Sequence, residues 1–134
     1  MPSSSTAPDV AAIEAMARRT ISRMPGPIRE HLDDIVFRVE ELADAEALAA
    51  VGLHDPWTLS GLYEGRPLTE RSIWESGEMP PRIRLFRRPL LAEAVETGVP
   101  LDELVTHVIV HEIGHHFGFS DEDMHEIDEG QAPR

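Results

Sequence analysis

The stretch Pro100-Leu-Asp-Glu-Leu-Val-Thr-His-Val-Ile-Val-His-Glu-Ile-Gly-His-His-Phe-Gly-Phe-Ser-Asp121 decides how the rest of the chain is read. Pro100 followed by Asp102 opens a helix, and Leu101, Leu104, Val105, Val108 and Ile109 give it a strongly apolar side. Gly118 supplies the stop, so the helix is expected to run to about Phe117. Inside it His111-Glu112-Ile113-Gly114-His115 reads HExxH, and Gly118 and Asp121 extend the pattern to HExxHxxGxxD. Four residues of helix advance about 400°, so His111 and His115 stand nearly one above the other and their imidazoles can close on one ion. Glu112 lies about 100° round from His111, beside that ion but outside its ligands. Gly118 can take a positive φ and turn the chain back, which brings Asp121 within reach of the ion's open side.

Two nitrogens and one carboxylate oxygen leave a fourth position for water, the donor pattern of a catalytic zinc. Glu112 stands where a base for zinc-bound water belongs. A random chain of this composition would carry HExxH about 0.04 times, and the added Gly and Asp lower that to about 2 × 10⁻⁴. The plain alternative is an exposed, histidine-rich helix end that binds no metal.

Upstream, Asp9 caps a helix expected over Val10 to Met24, in which Val10, Ile13, Ala17, Ile21 and Met24 recur at helical spacing. Pro25-Gly26-Pro27 ends it, and Ile28 to Leu32 carries no clear pattern. Ile35 to Val39 is β-branched and aromatic and is expected to be a strand. Asp44 to Val51 is an alanine-rich helix closed by Gly52, and Leu90 to Thr97 is a helix stopped at Gly98. Leu59 to Tyr63 and Ile83 to Phe86 alternate, the second with basic residues, which predicts a strand with one wet face. The expected fold class is α+β, a small mixed sheet with packed helices and the HExxH helix carrying the site. The expected domain plan is a disordered leader over 1–8, a single domain over 9–125 and an acidic tail over 126–134.

The 134 residues suffice for one core. Twelve basic against twenty-five acidic side chains leave a net charge of −13, which argues against nucleic acid or an anionic membrane as partner. No apolar run approaches a membrane span, and the polar start lacks an apolar signal segment, so a cytoplasmic protein is expected. The absence of cysteine excludes disulfides and thiolate chemistry and leaves His, Asp or Glu to hold any metal.

The motif resembles that of the zincin metallopeptidases, and of their small single-domain minimal members in particular. A weaker resemblance extends through Leu59-Ser-Gly-Leu-Tyr-Glu-Gly65, Pro67-Leu-Thr-Glu-Arg71 and Pro81-Arg-Ile83 back to about residue 35. The resemblance implies a zincin-like fold, His111, His115 and Asp121 as ligands of Zn²⁺, Glu112 as general base and a peptide or protein as substrate. Larger zincins add a lower subdomain beyond the motif; thirteen residues follow Asp121, so an open cleft is expected. The alternative function is a non-proteolytic metal-binding regulatory or interaction protein on the same scaffold.

The remaining candidates are weaker. His107 lies one turn before His111 and reads as a partner of the site or as a boundary histidine. His116 is about 140° from His111 and is expected to point elsewhere. His125 sits in the acidic tail, and His31 and His54 read as surface. Tyr63, the only tyrosine, is either an oxyanion stabiliser or a packed strand residue. Met124 can be read as a methionine turn beneath the metal or as ordinary packing.

Overall fold

Asp9 starts the first helix by accepting the Ala12 amide at 2.9 Å, one of the donors a helix start leaves without an internal partner. The computed structural model describes residues 7–65 and 80–120. Helix α1 spans Val10–Ser22 and ends two residues before the expected Met24. The following prolines do more than stop it: with Pro25 before it and Pro27 near its start, a one-turn helix α2 forms over Gly26–Arg29.

Among the described residues three strands form the sheet, β1 over Val36–Glu40, β2 over Gly61–Glu64 and β3 over Arg82–Phe86. Their order is β1-β3-β2, with β3 parallel to β1 and antiparallel to β2. This is the small mixed sheet expected. Strand β2 starts two residues later than the pattern suggested, because Pro56–Thr58 forms a 3₁₀ turn first.

Alternation along β3 divides the sheet into two faces. Ile83 and Leu85 point toward α1 and the long helix α5, Leu101–His116, and meet Ile13, Ala17, Val105 and Ile109 in the main core. Gly61 on β2 lies so close to α5 that a Cβ there would collide with Val108 Cγ1. The opposite face was expected to be wet, and it is not. Arg84 is only 5% exposed. Helix α3, Ala45–Ala50, covers that side, and Ala43, Ala47, Leu48, Leu62 and Phe86 form a second cluster there. The buried guanidinium is matched by Glu64, Glu40 and Asp44 at 3.5, 3.6 and 3.7 Å, and lies over the Phe86 ring. Asp44 also caps α3 through the Ala47 amide at 2.8 Å, so one carboxylate serves both helix and cation.

Helix α4, Arg87–Thr97, leaves β3 without a loop, three residues earlier than expected. Pro89 falls in its first turn, where a missing N–H costs nothing. Arg87 donates to Glu41 at 2.9 Å and to the Pro8 carbonyl at 2.7 Å. The Arg87 hydrogen bond, with Arg88 adding to it, holds the Glu41 carboxyl below its ordinary pKa. Among the described residues no helix is long and apolar enough to cross a membrane.

Candidate functional site

The carboxyl end of α5 is set by its turn. Phe117 is the cap and Gly118 takes φ 95°, a conformation that favours glycine. The Gly118 amide donates to the His115 carbonyl and the Phe119 amide to the Gly114 carbonyl, both at 2.9 Å, which is a Schellman closure. This turn brings the Phe119 carbonyl to 2.8 Å from His115 Nδ1. A carbonyl only accepts, so Nδ1 carries the proton and the ring's lone pair lies on Nε2. Metal-ligating histidines are held in this way.

His111 and His115 lie with ring centroids 4.8 Å apart and planes at 86°. Their nitrogens and a Glu112 carboxylate oxygen all fall within 4.8 Å of one another, a candidate metal-binding cluster. Both histidines are half-buried, while Glu112 is 8% exposed. One turn-locked imidazole, a second beside it and a carboxylate fit a divalent transition metal. Asp121, Met124 and His125 lie outside the described residues, as do residues 126–134 and the first six of the leader.

The cluster opens on a cleft of about 850 Å³ that also touches Gly61, Leu62 and Tyr63 of β2. Among the described residues β2 is an edge of the sheet, so a strand edge runs beside the imidazoles. His107 is exposed on the same cleft, one turn from His111.

His116 points away from the cluster, as expected, and is fully buried. Its Nε2 lies 3.0 Å from the His31 carbonyl, which accepts, and its Nδ1 lies 2.8 Å from the Tyr63 hydroxyl. In the neutral ring the Tyr63 hydroxyl therefore donates to Nδ1. The Tyr63 ring packs against the main core. One buried imidazole thus ties α5, β2 and the segment before β1 together. Sequence reading missed this role, although a signal existed: His116 is three residues beyond Ile113 and seven beyond Ile109, on the apolar side of the helix. His31 and His54 are on the surface, and the His31 ring stands edge-on to Phe117.

A family model described as zincin-like metallopeptidase matches residues 32–131. No curated protein matches the chain. The matched span takes in the whole sheet and α5, and the α+β architecture with its small mixed sheet is consistent with a zincin-like fold. With about three quarters of its length answering to one model and the paired imidazoles fitting an HExxH motif, the chain belongs to the zincin-like metallopeptidase family.

Proposed function

We propose that this chain is a zinc-dependent peptidase in which His111, His115 and Asp121 hold the ion and Glu112 is the general base. The observation that carries the reading is the place of Glu112: a carboxylate nearly closed to solvent, within 4.8 Å of two imidazoles, on the wall of an open cleft. A site that only held metal for stability would have no use for a buried base there. The third ligand rests on the HExxHxxGxxD spacing and on family membership.

Bound zinc would supply a Lewis acid that polarises the scissile carbonyl and acidifies water. The chain's own residues do the rest. Phe119 fixes the His115 tautomer through its carbonyl. Glu112 takes a proton from the attacking water and delivers it to the amine nitrogen as the C–N bond breaks. The edge of β2 offers main-chain pairing to an extended peptide. The net charge of −13 supports a peptide rather than a nucleic acid as substrate.

The test is Glu112→Gln against wild type, both zinc-loaded, on a broad peptide library. Gln keeps the size and hydrogen-bonding reach but cannot accept the proton, so activity should fall at least about 100-fold with zinc content and melting temperature unchanged. Equal cleavage by both proteins would remove Glu112 from the chemistry. A zinc-loaded wild type that cleaves nothing would leave a metal-binding module in place of an enzyme.

A further inference from the structure

The cleft continues beyond the imidazoles toward the amino end of α5. Strand β2 and α5 run in the same sense, since Gly61 meets Val108 and Tyr63 meets His116. Leu59 and Ser60 therefore lie upstream of the metal cluster, and Val51, Leu53 and Leu59 line the cleft there. Val51 is 43% exposed although aliphatic. Glu93 of α4 stands at the same end and accepts the Ser60 hydroxyl at 3.5 Å. Among the described residues lining the cleft, Glu93 is the only acid apart from Glu112, and none is an arginine or lysine.

An aliphatic wall with a carboxylate on its lip, and no arginine among the described lining residues to compete for that carboxylate, has a definite complement. We propose that this end of the cleft is a specificity subsite for an aliphatic side chain with an arginine or lysine beside it in a peptide. The proposal rests on the peptidase reading only for where the scissile bond lies. Val108 is about 4.5 Å from His111 along the helix axis, and Leu59 is about 7 Å further along the strand. The aliphatic residue is thus held about three extended residues from the bond that is cut. Burial of that side chain supplies affinity. The exposed Glu93 supplies discrimination that weakens as salt screens it.

The test measures fluorescence anisotropy of labelled peptides on the zinc-loaded protein at low ionic strength, beside a cleavage assay of the same peptides. Four peptides differ only at the pair: Leu-Arg, Leu-Gln, Leu-Glu and Ser-Arg. Wild type should bind Leu-Arg about 5-fold more tightly than Leu-Glu, with Leu-Gln between. Ser-Arg should bind about 10-fold more weakly than Leu-Arg. Glu93→Gln should erase the charge preference, and Glu93→Arg should reverse it. The Glu93 side chain is exposed and meets the Ser60 hydroxyl at a long 3.5 Å, so both variants should melt with wild type. The same order in wild type and Glu93→Arg, or no binding of any peptide, overturns the subsite. The expected ranking without cleavage upholds the subsite and removes the peptidase reading; cleavage without ranking does the reverse.

Discussion

The two ends of α5 are buried by different means. From Leu101 to Val110 the buried residues are Leu104, Val105 and Ile109, and they meet other aliphatic side chains. From His111 to His116 the buried residues include Glu112 and His116, whose surroundings must satisfy polar atoms. Aliphatic burial is non-directional and tolerates exchange for a side chain of similar volume. Polar burial depends on partner, distance and tautomer. One helix thus carries a part that holds the fold and a part that holds the chemistry, and substitutions should separate them.

The largest effect is expected from the double change His111→Ala/His115→Ala. Zinc should fall from about one per chain to none, while the melting temperature of the metal-free protein moves little, since neither ring is fully buried. Metal analysis and a thermal melt on one preparation check both halves of that statement. Equal metal content would erase the distinction between the two ends. Ile109→Ala should do the converse. A fully buried isoleucine lost from the main core should cost about 3 kcal/mol by denaturant unfolding, with zinc content of the folded protein unchanged. Loss of zinc without loss of stability would put Ile109 on the wrong side of the comparison.

Tyr63→Phe sharpens the boundary between the ends. It removes the hydroxyl that reaches His116 Nδ1 and keeps the ring that packs on the core. The expected cost is about 1.5 kcal/mol, smaller than for Ile109→Ala but well above that of a surface change. An unchanged unfolding midpoint would mean the bond contributes nothing. Thr106→Val should give the smallest change. Thr106 joins α5 to Thr20 of α1 at 2.9 Å, a polar tie in the aliphatic half. Its loss should shift stability by about 0.5 kcal/mol, and a shift above that of Tyr63→Phe would contradict the division proposed.

What the sequence revealed follows the same line. Helical spacing located α1, with its acidic cap, and α5, with its opening proline, and the two-step alternation located β3 within a residue. The HExxH pattern brought His111, Glu112 and His115 together because all three sit on one rigid element. What stayed hidden required partners distant in the chain. Arg84 looked solvent-facing because alternation says nothing about α3 lying over that face, nor about Glu40, Asp44 and Glu64 converging there. The strand order β1-β3-β2 has no local trace, since β1 and its parallel partner are separated by more than forty residues. Tyr63 and His116 are 53 residues apart, and neither announces the other. Helix α2 was hidden for a different reason: one turn is too short to show a period.

The turn at Gly118 has a consequence for how this site can vary over time. The group that orients His115 is a main-chain carbonyl, and every residue at position 119 would present one. The orientation is therefore inherited through the path of the backbone rather than through the identity of a side chain. A saturation scan should find position 119 permissive for tautomer control and position 118 intolerant of anything but glycine, because a side chain at φ 95° would divert the path itself. Drift can rewrite the residue that supplies the oxygen without disturbing the imidazole it holds, provided the glycine before it is kept.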